Sequence, residues 1–165
     1  MQTSGEYSDR LQKLKELKAG GVIPYSDKYE RTHTNLEALT FGKESKLREV
    51  AEIVETRTKK PIKLCGRLMS FREHGKLTFA HLQDFSGKIQ ICFMKDLVGD
   101  GVYGFLILVD VADFIGVSGE LFMTKHGEVT LLVYEVKLLA KALRPLPEKW
   151  HGIKGQENIY RQRYL

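Results

Sequence analysis

The sequence has few of the residues that build disulfide frameworks and metal sites. Its 165 residues include two cysteines, one tryptophan and four prolines. Cys65 and Cys92 do not form a C-x-x-C pair, and two cysteines are too few for a disulfide framework. We therefore expect both to be reduced structural thiols. The five histidines are scattered without the spacing of metal ligands. No metal site is therefore expected.

Long hydrophobic runs are also missing. The longest strongly apolar stretch without charge lies between Asp100 and Asp110 and is far shorter than the roughly 20 residues of a membrane helix. The first residues, MQTSGEYSDRLQKLKELK, contain no apolar run of the kind found in secretory signals. We therefore expect no membrane association and a cytoplasmic location.

No catalytic motif is present. The sequence contains no G-x-x-x-x-G-K-[ST], no G-x-S-x-G and no H-E-x-x-H. Asp110 and Asp113 form a pair of carboxylates near apolar residues, but no metal-ligand set accompanies them, and we expect both on the surface of a connector helix. The chain thus has the features of a binding module and no catalytic residues.

Charge is distributed unevenly along the chain. The formal net charge is +5, yet residues 64–136 carry six basic and nine acidic side chains, while residues 137–165 carry seven and two. If the protein binds a polyanion, the flanking segments supply much of the long-range attraction. The alternative is that the positive charge serves only solubility.

Residues 1–60 are predicted to form a helical extension. Leucines repeat at every third position from Ser8 to Lys18, and Gly20 and Gly21 end that helix. Residues 22–34 show neither helical nor strand periodicity and are predicted to be an ordered connection. A second helix is expected to begin near Ser45 and to end before Pro61, because Leu47, Val50, Ala51 and Val54 follow helical spacing.

From Pro61 the hydrophobic period changes to two, which predicts strands over residues 61–141. Three strands joined by short turns are followed by a short helix around residues 102–109, which could alternatively be a buried strand, and then by a hairpin across His126 and Gly127. This order is typical of a five-stranded OB-fold barrel, and an open antiparallel sheet under two helices is the alternative. The predicted strands cover Ile62–Arg72, Leu77–Gln83, Lys88–Met94, Phe114–Lys125 and Glu128–Lys141, and Gly66, Gly116 and Gly119 are expected to mark bends.

One face of the predicted meander has side chains suited to an unpaired nucleobase. Phe79 lies on the opposite face of the strand from the smaller residues Thr78 and Ala80. The length of the turn between the strands places Gln90 diagonally beside Phe79. An aromatic ring can stack on a base while an amide tests its Watson–Crick edge. Arg72 could reach the same region. The alternative is that Phe79 points into the core and Gln90 is an ordinary solvent-facing strand residue.

Several segments resemble a known family. The run CGRLMSFREHGKLTFAHLQDFSGKIQICF resembles the anticodon-binding OB domain of class II lysyl-tRNA synthetases. The segment KLKELKAGGVIPYSDKYERTHT resembles the lead-in to that domain, and LRPLPEKWHGIK followed by YRQRYL resembles the linker towards its catalytic domain. The connector GVYGFLILVDVAD departs from the family by being more apolar.

This resemblance implies a function for particular residues. Phe79 matches the aromatic residue that stacks on an anticodon base, Gln90 the glutamine that reads a uridine edge, Arg72 the basic residue beside them, and Glu128 the glutamate of the hairpin turn. Residues 142–165 would then be a linker to an absent catalytic domain. The expected partner is the anticodon loop of tRNA(Lys).

The resemblance also implies properties of the whole enzyme. The full-length parent would be an ATP-dependent lysine–tRNA ligase that uses Mg²⁺ and forms a homodimer, whereas this chain would be a monomeric fragment without cofactor. Two other functions stay open: the anticodon-binding domain of a related aspartyl- or asparaginyl-tRNA synthetase, and an OB-fold module that binds another protein.

Overall fold

A computed structural model describes residues 4–144 of the chain. Five strands with flanking helices are present, as predicted, and three of the helices precede the first strand. The connector of uncertain form is a helix rather than a strand. The elements are α1 (Ser4–Ala19), α2 (Asn35–Glu44), α3 (Val50–Glu55), β1 (Ile62–His74), β2 (Leu77–Gln83), β3 (Lys88–Met94), α4 (Lys95–Leu108), β4 (Phe114–Met123) and β5 (Val129–Ala140).

The five strands pair in the order β1-β2-β3-β5-β4, and β4 returns to pair with β1, so the sheet is a closed barrel. All pairs are antiparallel except β3 with β5, which are parallel over the three pairs Gln90 with Thr130, Ile91 with Leu131, and Cys92 with Leu132. The predicted register of the β2–β3 hairpin is confirmed, because His81 pairs with Gln90 and Gln83 with Lys88. This register fixes which side chains share the outer face.

The barrel interior is filled by one face of each strand. Thr78, Ala80 and Leu82 of β2 are buried, whereas Leu77, Phe79 and His81 lie on the outer face and are only partly buried. The helices contribute Leu17, Ala38 and Leu106 to the same core. Interior strand residues of this core include Leu64, Leu68, Ile89, Ile91, Phe93, Ile115, Val117, Leu121, Leu131 and Val133.

Two glycines allow the strands to approach closely. A side chain at Gly66 would collide with the backbone of Gln83, and one at Gly119 would collide with the backbone of Leu132. The β4–β5 register shifts between Ser118 and Gly119, so Gly119 lies at a bulge of the kind that bends a small barrel. The expectation that these glycines mark bends therefore holds at Gly119.

The helical extension differs from the prediction in two places. Helix α2 follows the segment read as a connection and had no counterpart in the sequence-based assignment. Its first turn is a capping box, in which the Thr34 hydroxyl accepts from the Glu37 N–H while the Glu37 carboxylate accepts from the Thr34 N–H. The sequence T-N-L-E carries this signature and could have revealed the helix.

The helix predicted from Ser45 is much shorter than expected. Ser45 has extended backbone after the end of α2, and helical structure starts only at Val50. Leu47 packs against the barrel core, whereas Ile53 is buried in a separate cluster on the outer face, formed with Cys92, Leu97, Phe122, Leu132 and Tyr134. Of the residues predicted to share one apolar face, Leu47 packs against the barrel core and Val50 against the outer cluster, whereas Ala51 and Val54 are exposed, so the single apolar face that their spacing suggested does not form.

Both cysteines are free, in line with the prediction of reduced thiols. Burial raises the pKa of the Cys92 thiol to about 11. It also raises the pKa of Cys65. Because the thiolate is the reactive form, neither side chain is a strong nucleophile at neutral pH.

Asp84 connects the start of α2 to the β2–β3 turn. One carboxylate oxygen accepts from the Asn35 N–H at 3.0 Å, and the other accepts from the Ser86 N–H at 2.8 Å and the Gly87 N–H at 3.0 Å. Burial alone would raise the pKa of this carboxyl, but the hydrogen bonds from Ser86, Asn35 and Gly87 lower it overall. The ionised form is therefore the one that the fold stabilises.

Asp84→Asn is expected to lower the free energy of unfolding at pH 7 by about 1–3 kcal/mol, because buried hydrogen bonds to a charged acceptor are lost. A carboxyl whose pKa is lowered by folding stabilises above its unfolded pKa of about 3.9 and loses that effect as pH falls through its folded value. The deficit should therefore shrink from pH 7 to pH 2 in urea unfolding. Asp27→Asn, at an exposed loop position, is the matched control. An equal deficit at both pH values would contradict this role.

Candidate nucleic-acid interface

A groove of about 710 Å³ crosses the outer face of the barrel, between the meander β1–β2–β3 and the β4–β5 hairpin. We call it the main groove. The four residues singled out from the sequence, Arg72, Phe79, Gln90 and Glu128, all line it. The fold thus brings together side chains from three different strands and one turn.

Phe79 forms an apolar wall of the main groove. It pairs with Arg72 of β1 and Cys92 of β3, so its ring projects from the outer face, away from the core residues Thr78 and Ala80. The ring packs against the outer cluster and makes an edge contact with His74, with centroids 6.4 Å apart and planes at 65°. Its orientation is therefore supported by neighbours while part of its surface remains accessible.

Gln90 is held by hydrogen bonds at both ends of its amide. The Thr130 hydroxyl donates to Gln90 Oε1 at 2.7 Å, and Gln90 Nε2 donates to Glu128 Oε2 at 2.8 Å. An ionised carboxylate only accepts hydrogen bonds, so the amide nitrogen must face Glu128 and the amide oxygen must face Thr130. The nitrogen carries two protons. One of them is left for a ligand in the groove.

Glu128 has a second neighbour in His81. His81 Nε2 lies 3.8 Å from Glu128 Oε1, and the Ser70 hydroxyl is hydrogen bonded to His81 Nδ1 at 2.8 Å. The chain of polar contacts therefore runs from Ser70 on β1 through His81 and Glu128 to Gln90. Glu128 itself is exposed, which leaves its carboxylate able to accept from a bound molecule.

Arg72 differs from these residues in being unpaired. Its side chain is exposed and forms no hydrogen bond or ion pair with other residues in the described range 4–144. Arg72 lies directly across from Phe79 on the neighbouring strand, so both side chains are on the same face. The guanidinium is thus available to a carbonyl or phosphate oxygen above the ring.

Sequence reasoning missed several other residues of the groove. Ser70 and His81 line the groove and are hydrogen bonded to each other, while Thr130 holds Gln90 from outside the groove. Met123 at the end of β4 and Lys125 and His126 of the β4–β5 turn form the opposite wall. Strand alternation placed His81 on the face of Phe79 and could have suggested it. Nothing in the local sequence brings residues 123–130 beside the meander, because that contact depends on closure of the barrel.

The described part of the chain contains no group of three or more His, Cys, Asp or Glu side chains arranged to hold a metal ion. Within residues 4–144, no helix has the length and hydrophobicity needed to cross a lipid bilayer.

Comparisons with known proteins identify the fold and the relatives. A family described as "OB-fold nucleic acid binding domain" matches residues 62–139, which covers the five strands except for the last residue of β5. Lysine–tRNA ligase from Carboxydothermus hydrogenoformans is 44% identical over 156 residues, covering 94% of this chain and 30% of the relative. Lysine–tRNA ligase from Bacillus subtilis is 41% identical over 165 residues, covering 97% of this chain and 32% of the relative.

The chain is a homologue of the lysine–tRNA ligases. It spans about a third of their length, and this shared part contains the OB-fold domain. The agreement with the lysine–tRNA ligases extends beyond the barrel, since the matched 94% must include most of the helical extension. Residues 145–165 lie outside the described residues; they hold all of the motif LRPLPEKWHGIK except its first two residues, the motif YRQRYL and most of the expected linker 142–165.

Proposed function

We propose that this chain recognises the anticodon loop of tRNA(Lys) as part of a cytoplasmic lysine–tRNA ligase. The main observation in support is the main groove, where an accessible aromatic ring lies beside an amide and a carboxylate that are already oriented. The names of the relatives favour lysine over aspartate or asparagine. We also propose residues 1–60, 61–141 and 142–165 as helical extension, binding barrel and linker.

The proposed mechanism starts with a base that leaves the stack of the anticodon loop. Its flat face stacks on Phe79, a contact of about 1–3 kcal/mol per base. Arg72, across from Phe79 on β1, then donates to a carbonyl or phosphate oxygen of the same nucleotide. Stacking supplies affinity for any base, so the choice of base must come from polar groups.

Gln90 and Glu128 present a donor next to an acceptor. Uracil offers a carbonyl oxygen next to its ring N3–H, which matches the Gln90 amide proton and the Glu128 carboxylate. Cytosine offers an amino group next to an unprotonated ring nitrogen, so its nitrogen lone pair would face a carboxylate. A buried polar group left unpaired costs about 1–3 kcal/mol. A base held in this pose is therefore read as uracil rather than cytosine, whereas guanine, with its O6 acceptor next to N1–H, presents the same pattern as uracil.

The whole parent protein would activate lysine with ATP and Mg²⁺ and transfer it to tRNA. We assign no residue in the range 4–144 to that chemistry. In this proposal the chain is a monomeric recognition module, and dimerisation belongs to the full-length enzyme.

The test compares RNA hairpins of identical stem that carry UUU, GUU or GUC as the anticodon. Fluorescence anisotropy with the 165-residue chain should give the tightest binding for UUU, about tenfold or more above GUC, because the cytosine of GUC leaves polar groups unpaired. Tighter binding of GUC or GUU would instead indicate an aspartyl- or asparaginyl-type domain. Affinity independent of salt would indicate a protein-binding module, since phosphate contacts give a slope of about −0.7 per contact on single strands.

Glu128→Gln is expected to reduce the discrimination between uracil and cytosine more than it reduces the affinity for the UUU hairpin. The substituted amide can turn its N–H towards the ring nitrogen of cytosine, so a hairpin with a UCU anticodon should gain relative to UUU by about threefold to tenfold. Glu135→Gln is the matched control, since Glu135 is an exposed residue of β5 outside the main groove. If both variants keep the wild-type ratio of the two hairpins, Glu128 does not read the base.

A further inference from the structure

A second depression lies beside the main groove and has no part in the proposed function so far. It has a volume of about 340 Å³ and is formed by the end of α2, residues 45–48, the loop before β1 and the middle of β4. We call it the α2 groove. Its polar and aromatic walls are His33, Phe41, Lys46 and Lys60.

The α2 groove offers an exposed aromatic ring. Phe41 lies on α2 and is 50% exposed, so part of its ring surface is accessible to a ligand. The ring of His33 lies beside it, with centroids 6.4 Å apart and planes at 37°. Together these rings form a surface on which a flat, uncharged ligand group can stack.

The same groove carries uncompensated positive charge. Lys46 and Lys60 are exposed and form no ion pair with other residues of the described range 4–144. The one acidic side chain that lines the groove, Glu120, is already engaged, because it accepts from Arg48 at 3.1 Å and from the Tyr134 hydroxyl at 2.9 Å. A bound anion would therefore meet two free ammonium groups and a neutralised carboxylate.

The two grooves adjoin each other along α3 and β4. Arg48 lines the α2 groove and the next residue, Glu49, lines the main groove. On β4, Glu120 borders the first and Phe122 the second. These two positions share a strand face and are about 7 Å apart. One nucleotide of an extended strand can span that distance.

We propose that the α2 groove binds a neighbouring nucleotide of the same RNA. The base stacks on Phe41 and the adjoining phosphates lie between Lys46 and Lys60. A ring combined with lysines is the usual equipment of a site for single-stranded nucleic acid that does not select the base. The inference rests on the proposed function, because the RNA strand enters from the main groove.

The experiment measures the binding of two RNA ligands to variants of the 165-residue chain. One RNA is the UUU hairpin, which can reach both grooves, and the other ligand is uridine 5′-monophosphate, a single nucleotide that cannot occupy both grooves at once. K46Q/K60Q should weaken hairpin binding about tenfold at low salt and reduce its salt slope by about 1.4, two contacts at about 0.7 each. F41A should weaken hairpin binding about tenfold without changing that slope. Neither variant should alter binding of the single nucleotide to the main groove.

The matched control is K15Q/K18Q, which removes the same charge from exposed positions on α1, away from both grooves. The inference is overturned if K46Q/K60Q and F41A leave hairpin binding at the control level while F79A weakens it; the proposed function would then stand alone. If F41A has no effect but the lysine variant does, the groove holds phosphate and the stacking part is wrong. If K46Q/K60Q and F41A weaken hairpin binding while F79A does not, the α2 groove binds RNA and the proposed function fails.

Discussion

Lys141→Met is expected to lower the free energy of unfolding by about 3–5 kcal/mol at pH 7, the usual effect of removing one partner of a buried ion pair. The Lys141 side chain is 0% exposed and lies 2.7 Å from Asp113, which is also 0% exposed, and 2.5 Å from Asp110. The substitution leaves the Asp113 carboxylate buried without its cation. Urea unfolding of the two proteins at pH 7 measures the difference.

The loss of stability caused by Lys141→Met should increase with pH. Burial raises the pKa of Asp113 even when Lys141 is present. In the variant the uncompensated carboxyl will take up a proton as the pH falls, and a group whose pKa is raised by folding destabilises more as the pH rises through that value. The deficit should therefore be smaller at pH 4 than at pH 7.

Two further variants separate this effect from a general loss of charge. Lys137→Met, at an exposed position of β5, the strand that Lys141 follows, should change stability by no more than about 0.5 kcal/mol. Adding Asp113→Asn to Lys141→Met should restore part of the loss, because the unpaired charge is then gone. A Lys141→Met protein within 1 kcal/mol of the wild type would mean that the buried pair is not what stabilises this end of the barrel.

Phe79→Ala is expected to weaken binding of the UUU hairpin by about tenfold or more, as stacking on one base contributes about 1–3 kcal/mol. Anisotropy titration of the full chain at fixed salt measures the change. Phe85→Ala is the matched control, because Phe85 is 81% exposed at the tip of the β2–β3 turn and does not line the main groove.

Phe79 also packs against the outer cluster, so the alanine variant could lose stability as well as affinity. Phe79→Leu addresses this by keeping most of the apolar contact while removing the aromatic face. It should melt close to the wild type and still bind the hairpin several-fold more weakly. Wild-type affinity in a folded Phe79→Leu protein would show that the ring is not a stacking surface.

Local patterns predicted the barrel strands well because each strand has one buried face. In β2, alternation of Thr78, Ala80 and Leu82 with Phe79 and His81 gives both the strand and the outward direction of Phe79. The turn Asp84–Gly87 sets the register that places Gln90 near Phe79. Helix α2 was missed because its buried positions are Asn35, Ala38 and Gly42, none of which is a large apolar residue, although its capping box was present in the sequence.

The expectation that Asp113 lies on the surface was wrong. Its carboxylate is buried and accepts hydrogen bonds from the ammonium group of Lys141, which is 28 residues further along the chain, and from the Ala142 N–H. No periodicity links such positions. The same holds for the side chains that orient Gln90, since Thr130 and Glu128 reach it only because β5 pairs with β3. Sequence patterns did not predict the contacts that require pairing between strands distant in the sequence. The roles assigned to Phe79, Gln90, Arg72 and Glu128 stay predictions.

The parallel pairing of β3 with β5 involves only three residue pairs, the shortest seam among the strand pairs that close the barrel. Gln90 and Thr130 form one of those pairs, and Glu128 lies two residues before Thr130. A nucleotide held by both Gln90 and Glu128 would therefore bridge this seam. Binding of the RNA would therefore stabilise the barrel. At a free RNA concentration of about one hundred times Kd, it would raise the free energy of unfolding by about 2.7 kcal/mol.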